Sequence, residues 1–260
     1  MKQIHSTQNT QFKHWLKLRE ARYARRTLEF IASGRKIVPE LLQDPYVQCQ
    51  FLLATNEDGF QSLPFQAAQV PKTLLSPHLF QQLDEFNTRF PLLIGKRQPL
   101  EKAQLENTPS GLELLVALGD PQNLGAVLRS SEAFGVQKVI LLKEAADPFH
   151  PKAIRSSSGA VFRLNIYEGP HLSEISTSDP NQYTLDGTGQ SISTFQWPQS
   201  LRLLLGQEGQ GVPKPLKQAQ CLRIPMQGRG ESLNAVVAAS IALFSFQQNQ
   251  QQGLLKNREE

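Results

Sequence analysis

Cysteine is scarce in this sequence, and long apolar runs and a secretion signal are missing. Each of these absences excludes a class of protein. The two cysteines of the 260-residue chain, Cys49 and Cys221, show no Cys-x-x-Cys or Cys/His ligand spacing. Neither a disulfide framework nor a metal site is therefore indicated. The N-terminus has no apolar signal core, and the most apolar helical stretch, 233–246, is too short to span a bilayer. We expect a soluble protein of the reducing cytoplasm with no membrane partner.

Positive charge is concentrated at the head of the chain, although the net charge is only +4. Against Glu20 and Glu29, residues 1–36 carry Lys2, Lys13, Lys17, Arg19, Arg22, Arg25, Arg26, Arg35 and Lys36. Such clustering is typical of a surface that binds a polyphosphate such as RNA, and a solvated helix face has the same composition. Trp15 and Tyr23 lie among these charges, where they suit either base stacking or core packing.

A polar stretch between Gln98 and Gly111 predicts two domains, 1–106 and 107–260. The first is expected to be a small α/β domain that contains one basic amphipathic helix over 11–26. The second alternates helices with apolar runs at 112–118, 138–142, 161–167, 183–185, 201–205 and 221–225. That order predicts a parallel sheet covered on both faces. Since ligands bind beyond the carboxyl ends of such strands, the loops to inspect are 119–125, 206–211 and 226–234.

The stretch from Ile224 to Phe244 runs from a strand end through a Gly-rich turn into a helix. One helix face is apolar (Leu233, Val236, Val237, Ser240, Ile241, Phe244) and the other is small (Ala235, Ala238, Ala239, Ala242). Ser232 and Asn234 stand at the helix start, where unpaired N–H groups favour polar or anionic partners. A capped core helix shows the same pattern. The Gln-rich tail from Gln247 predicts frayed surface.

Two further loops place polar side chains beside glycine. The helix after the first strand of the second domain has Asn123 near its start as a candidate cap, and Arg129 points away from its apolar face. Glu208 is the lone carboxylate of the loop 206–211, where Gly209 and Gly211 permit close backbone approach. That loop matches neither Gly-x-Gly-x-x-Gly nor Gly-Lys-Ser/Thr, so a dinucleotide or P-loop site is not indicated. Taken singly, a surface arginine and a tight turn explain these features equally well.

Three segments of the second domain form a more specific pattern together. They are Asn-x-Gly-Ala-x-x-Arg-Ser at 123–130, Leu-Gly-x-Glu-Gly-x-Gly at 205–211, and Ile-Pro-Met followed by Ser-Leu-Asn before an Ala-rich helix. This arrangement resembles the three motifs of the SpoU (TrmH) family of RNA ribose 2′-O-methyltransferases. Gln207 stands where members often have Asn. The first domain is similar to the substrate-binding domain of many members, through Ser6 to Asn9, the basic helix, and Phe30 to Val38.

The resemblance implies an α/β fold: a C-terminal trefoil-knotted parallel sheet (SPOUT-type) with a smaller N-terminal α/β RNA-binding domain. It implies S-adenosylmethionine as cofactor, held by Gly206, Ile224, Met226 and Leu233. The catalytic cluster would be Asn123, Arg129, Glu208, Ser232 and Asn234. Arg155 with Ser156 to Ser158 resembles a phosphate-contacting loop, although a helix end has the same pattern.

The resemblance also implies the reaction, methylation of a ribose 2′-hydroxyl in structured RNA. We expect 23S rRNA rather than tRNA, and a homodimer formed through the small-residue face of the last helix. Because arginine stays protonated, we expect Arg129 to stabilise the developing alkoxide rather than act as a base. Glu208 would orient Asn123 or Arg129. A non-catalytic RNA-binding protein and a base-nitrogen methyltransferase remain as alternatives.

Overall fold

The computed structural model describes residues 1–218, 220–228 and 232–259. The strands are β1 (Lys2–Ile4), β2 (Glu29–Ala32), β3 (Gln48–Ala54), β4 (Lys72–Leu75), β5 (Leu92–Lys96), β6 (Leu112–Val116), β7 (Lys138–Leu141), β8 (Ile166–Glu168), β9 (Gln182–Ser191), β10 (Leu201–Leu205) and β11 (Cys221–Arg223). The α-helices are α1 (Thr10–Lys17), α2 (Ala21–Thr27), α3 (Ile37–Gln43), α4 (Pro77–Leu83), α5 (Pro121–Ala133), α6 (Pro151–Ser156), α7 (Lys214–Gln218) and α8 (Ala235–Glu259). Short 3₁₀ helices are Asp58–Phe60, Phe65–Gln69, Ala160–Phe162 and Leu172–Glu174. None of the described helices is long and apolar enough to cross a membrane.

The first of two compact units comprises Met1–Pro99 and Asp147–Gly159. Its mixed sheet has the order β1-β4-β3-β5-β2, in which β1, β4 and β3 are parallel and β5 is antiparallel to both of its neighbours. Phe12 and Trp15 on α1 are buried in the core beside this sheet. Trp15 has no exposed surface, so core packing rather than base stacking accounts for it.

The basic helix predicted over 11–26 is wrong as a single element, because α1 ends at Lys17 and α2 begins at Ala21. Leu18 is buried together with Phe12 and Trp15. This side chain stands at the C-cap of α1, three residues after Trp15 and therefore on the same side of the helix. The chain leaves helical geometry at Glu20, whose backbone is extended with φ −89° and ψ 114°, and α2 begins directly after it.

A late segment of the sequence, Asp147–Gly159, completes the first unit. The Asp147 carboxylate is buried, and its Oδ2 lies 3.4 Å from Nε of Arg25. Arg97 lies with a terminal nitrogen 3.9 Å from Asp147 Oδ1 and with its guanidinium 4.2 Å from the centre of the Phe149 ring. Burial lowers the pKa of Arg97 from its ordinary value. Two arginines and one carboxylate thus fix this segment within the unit.

Cys49, at the start of β3, provides a pH-dependent prediction. Burial, and secondarily the Asp44 carboxylate, raises the pKa of its thiol from 9.0 to about 11. Since only the thiolate reacts, iodoacetamide at pH 8 should label Cys49 slowly in the folded protein and quickly in urea, with the folded-state rate rising toward pH 11. A pKa raised by folding also means that this contribution to stability is complete below pH 9 and is lost as the pH rises through 11. Mass spectrometry of the Cys49 peptide measures the labelling, and equal rates in both states would contradict the prediction.

The second unit, Leu100–Ala146 with Ala160–Glu260, contains a fully parallel sheet of order β11-β9-β10-β6-β7-β8. Every residue of the neighbouring central strands β6 and β10 is buried. The predicted α/β class with a parallel sheet is therefore confirmed. The strand predicted over 161–167 is wrong, because Ala160–Phe162 is a 3₁₀ helix and β8 starts at Ile166. The strand predicted at 183–185 is part of the longer β9.

The exposure of the two faces of α8 differs from the prediction, which placed the small-residue face at a dimer interface. Ala239 and Ala242 have no exposed surface, whereas Val237, Ile241 and Phe244 are 47%, 36% and 48% exposed. Two residues of the apolar face contact α5: the Ser240 and Ser130 hydroxyls lie 2.8 Å apart, and the Phe244 and Phe134 rings meet edge-on with their centres 6.1 Å apart. Ala239 and Ala242 are buried inside the unit and so cannot form the predicted dimer interface, whereas Val237 and Ile241 remain exposed.

The tail predicted to fray at Gln247 continues as helix to Glu259. Trp197 donates from Nε1 to Ser245 Oγ at 3.1 Å and packs edge-on against Phe246. One turn further along, Gln250 donates from Nε2 to the Pro198 carbonyl at 2.9 Å. Contacts with the loop before β10 therefore support α8 past the point where composition alone suggested disorder.

Candidate functional site

A cleft of about 540 Å³ opens beyond Leu205, the last residue of β10. The four residues expected to hold a cofactor all line it: Gly206, Ile224, Met226 and Leu233. Of the expected catalytic residues, Glu208, Ser232 and Asn234 line it as well. Residues 229–231 of the predicted loop 226–234 lie outside the described residues. The end of β10 is thus where two of the three loops selected from the sequence meet.

The turn after β10 is closed so tightly that Gly206 has no room for a side chain. A Cβ on Gly206 would lie 2.6 Å from the Gly211 carbonyl and from the Val212 side chain. Reciprocal backbone hydrogen bonds of 3.0 Å and 2.8 Å join Gln207 and Gly211. The glycines therefore shape the turn, and the turn presents Glu208 to the cleft.

Glu208 connects this turn to the loop that follows β6. Its Oε2 accepts the backbone N–H of Gly119 at 3.1 Å, and its Oε1 accepts the Asn123 side-chain amide at 3.2 Å. The N-cap of α5 is Asp120, whose carboxylate accepts the Asn123 N–H at 2.8 Å, so the suggestion that Asn123 caps the helix is wrong. With capping supplied by Asp120, the Asn123 side chain is available to Glu208. Of the two orientations expected for Glu208, the structure shows the one with Asn123.

This pair of hydrogen bonds leads to a testable expectation for Glu208→Gln. An amide offers one acceptor oxygen where the carboxylate offers two, and its NH₂ cannot accept from Asn123. Because Glu208 is exposed, we expect the melting temperature to change little, and methyl-transfer turnover to fall about tenfold through misorientation of Asn123. Single-turnover kinetics at saturating cofactor and RNA would measure this loss. Gln207→Asn, a change at the adjacent position, serves as the control and should retain wild-type turnover.

Asn234 and Ser232 stand at the start of α8. Asn234 accepts the Val236 N–H at 2.9 Å through its side-chain oxygen, so it caps the helix as the simpler sequence interpretation suggested. Ser232 is exposed and, with Asn234, borders the cleft. Capping uses the oxygen of the Asn234 amide and does not use its two N–H donors.

Asn123 does not line the cleft itself and is joined to it through Glu208. Arg129 is the predicted site residue for which the described part of the chain shows no connection to the cleft. It is exposed on α5, and no hydrogen bond or ion pair joins it to another residue within the described ranges. It lies about 9 Å along the helix axis from Asn123, since each helical residue rises about 1.5 Å. The Arg129 guanidinium is thus exposed to solvent outside the cleft.

Sequence reasoning missed three residues of the cleft wall, Leu185, Asp186 and Gly187. The predicted strand ended at Leu185, whereas β9 continues through Asp186 and Gly187 to Ser191. An Asp-Gly pair after an apolar run is typical of a turn, so no sequence signal indicated that the strand continues along the cleft.

The architecture can now be compared with known proteins. Residues 114–244, about half of the chain, match the family model described as the SpoU rRNA Methylase family. The chain belongs to the SpoU rRNA methylase family. The part of the chain that matches the SpoU family model includes every predicted site residue, from Asn123 to Asn234.

The chain is also similar to two curated relatives and one solved structure. It is 38% identical to the ribosomal RNA small subunit methyltransferase G 2 of Syntrophobacter fumaroxidans over 94% of this chain, and it spans only 49% of that protein. It is 28% identical to the 23S rRNA (guanosine(2553)-2′-O)-methyltransferase RlmP of Bacillus subtilis, over 94% of this chain and 98% of the relative. The SpoU methyltransferase AviRb of Streptomyces viridochromogenes, solved with AdoMet, is 24% identical with a TM-score of 0.77, covering 94% and 98% of the chains. This last similarity shows a shared fold.

Proposed function

We propose that this chain transfers a methyl group from S-adenosylmethionine to a ribose 2′-hydroxyl of structured RNA, with 23S rRNA as the favoured substrate. The observation that carries the proposal is the Glu208 carboxylate, which lies at a cleft lined by the expected cofactor residues and accepts hydrogen bonds from Asn123 and Gly119. Membership of the SpoU family supports the reaction class. The name of the Bacillus subtilis relative supports ribosomal RNA and the 2′-oxygen.

The cleft fits a cofactor of this size and chemistry. Its volume of about 540 Å³ lies within the range of small-molecule sites. Gly206 brings bare backbone to the surface, and Met226 and Leu233 are 40% and 37% exposed, which offers apolar contact for an adenine ring. When bound, S-adenosylmethionine supplies a methyl group on a positively charged sulfur.

The side chains around the cleft would position the ribose for attack. The positively charged guanidinium of Arg129 would hold the adjacent phosphate and stabilise the charge that develops on the 2′-oxygen. Glu208 fixes the Asn123 amide, while Ser232 and the N–H donors of Asn234 would bind ribose hydroxyls. Most of the acceleration would come from proximity and in-line orientation.

We also propose a homodimer in which each Arg129 completes the partner's cleft. The position of Arg129 outside its own cleft supports this arrangement, as does an exposed apolar stripe formed by Leu233, just before α8, and by Val237, Ile241 and Phe244 on α8. Exposed apolar stripes of this kind mark interfaces between proteins. The stripe begins at the cleft wall with Leu233, so a partner seated on it would lie beside the cofactor site.

Several further features belong to the same proposal. Residues 1–106 would bind RNA, residues 107–260 would carry out methyl transfer, and the protein would act in the cytoplasm, where ribosomal RNA is available. We also propose that the chain after β11 is threaded as a trefoil knot. In support, β11 ends at the sheet edge, and α8 then packs on α5, which follows the central strand β6.

Transfer of labelled methyl groups tests the proposal. Purified protein would be incubated with S-adenosylmethionine labelled in the methyl group and with protein-free 23S rRNA or tRNA. A methylated 2′-oxygen blocks alkaline cleavage, so label in alkali-resistant dinucleotides of 23S rRNA is the expected result. Label in mononucleotides would show base methylation instead. RNA binding without incorporation into either RNA would favour the non-catalytic alternative and reject the enzyme.

A further inference from the structure

The turn between α4 and β5 in the first unit holds a strained backbone around an exposed arginine. Asn87 and Arg89 have φ angles of 50° and 53°, in the left-handed region that favours glycine. The buried Asp84 carboxylate maintains the turn, accepting the Thr88 hydroxyl at 3.0 Å and the Arg89 N–H at 2.9 Å. If the turn served only to connect α4 to β5, glycine at 89 would form it at lower cost. Strain that surrounding contacts maintain is characteristic of functional sites.

Three further cationic side chains contact Glu85 and Phe86 of the same turn. The Arg155 guanidinium stacks 4.3 Å from the centre of the Phe86 ring. Arg19 and Lys152 both approach Oε1 of Glu85, at 3.8 Å and 3.6 Å. One carboxylate therefore orients two cations without neutralising both.

We define the Arg89 surface as Arg19, the turn Asp84–Arg89, Lys152 and Arg155. It joins three separate stretches of the sequence within the first unit. Its four cations exceed its two carboxylates, and Asp84 is committed to hydrogen bonds within the turn. Phe86 is covered by Arg155, so the surface offers charge and guanidinium donors rather than an open aromatic face for a base.

We propose that the Arg89 surface binds the phosphate backbone of the RNA substrate. The identification of the ligand as RNA rests on the function proposed above. Guanidinium groups match phosphate oxygens in a bidentate geometry, and held side chains lose little freedom on binding. Neutralising backbone phosphates releases counterions, so this surface should contribute salt-dependent affinity that depends little on sequence. The surface would bind a folded RNA element by its backbone, while the second unit selects the ribose.

Charge removal tests the proposal with the full-length protein. The probe is protein-free 23S rRNA transcript, and its Kd is measured by filter binding across a series of KCl concentrations. We expect Arg89→Gln and Arg155→Gln to raise Kd about fivefold each and the double variant about 25-fold, with the salt slope reduced by about one for each phosphate that is no longer neutralised. Lys96→Gln is the matched control, because Lys96 is exposed at the opposite end of β5 from the turn. It should change Kd by less than about twofold.

Two further readouts keep folding and catalysis separate from RNA binding. Each variant should retain the wild-type melting temperature and S-adenosylmethionine affinity, and Arg89→Lys should recover part of the RNA affinity. Suppose that wild-type protein methylates 23S rRNA and that the Kd of the double variant for this RNA is within about twofold of wild type. The proposal that the Arg89 surface binds RNA is then wrong, and the proposed function stands. If wild-type protein binds the transcript without methylating it and the double variant loses binding, the proposed function fails and this inference stands. Wild-type protein that does not bind the transcript would overturn the inference.

Discussion

Replacing Arg129 with alanine is expected to lower the turnover of methyl transfer by about 100-fold to 1,000-fold, the usual cost of removing one group that stabilises a developing oxyanion. The affinity for S-adenosylmethionine should stay unchanged, because Arg129 does not line the cleft. The fold should also be unaffected, since this side chain is exposed and makes no contact that α5 requires. Single-turnover assays at saturating cofactor and 23S rRNA, paired with calorimetry of cofactor binding, would measure both quantities.

Two companion variants sharpen this test. Arg129→Lys keeps the charge but loses the planar fork, so an intermediate turnover is expected. Arg163→Ala removes an exposed cation that pairs with Glu132 on α5 and should leave turnover close to wild type. If Arg129→Ala retained near-wild-type turnover under saturating conditions, both the electrostatic role and the shared site would be rejected.

The second large effect is expected from the double variant Val237→Asp/Ile241→Asp on the exposed stripe of α8. In a two-fold symmetric dimer each substitution occurs twice at the interface, so four carboxylates would be buried where apolar side chains had met. Burying an unpaired charge costs several kcal/mol, which is enough to dissociate a micromolar dimer. We therefore expect sedimentation to change from dimer to monomer. Methyl transfer should fall to the level of Arg129→Ala, because each cleft would lose the partner's arginine.

The chain offers a matched control for this experiment. Phe65 is 82% exposed in the first unit, so Phe65→Asp makes the same kind of change on an exposed apolar side chain away from α8. This variant should remain dimeric and active. Wild-type protein that sediments only as a monomer at micromolar concentration would remove the dimer proposal, and with it the explanation for the position of Arg129.

The parts of the fold that could be predicted depend on short-range pattern. The apolar runs of β6 and β10 are buried on both faces, which is what a central parallel strand requires, so their type and order were clear from the sequence. The loops that line the cleft followed from the rule that ligands bind at the carboxyl ends of parallel strands. The break after α1 was not visible, because no local sequence signal marks the extended backbone at Glu20 that separates α1 from α2.

Long-range pairing explains what the sequence did not reveal. Periodicity showed that α8 has an apolar face and a small face, but it could not show that Ala239 and Ala242 of the small face are the buried residues. The hydrogen bond between Glu208 and Asn123 joins residues 85 positions apart, and the sequence offered Arg129 as an equal alternative partner. The Arg89 surface likewise depends on Arg155 meeting Phe86, a contact between segments that no local pattern connects.

Residues 147–159 belong to the first unit although they are translated after the start of the second. This order affects when the first unit can fold during synthesis. Phe149, Ala153 and Ile154 are buried, so the N-terminal part of the chain lacks these hydrophobic contacts until the segment has been synthesised. Domains usually fold one after another as they leave the ribosome, starting from the N-terminus. Here the N-terminal unit cannot finish before residue 159 emerges from the exit tunnel, by which time β6, α5 and β7 have already been translated. A nascent chain stalled before that point should therefore be more sensitive to protease around β2, which packs against α6 and Phe149, than the complete unit.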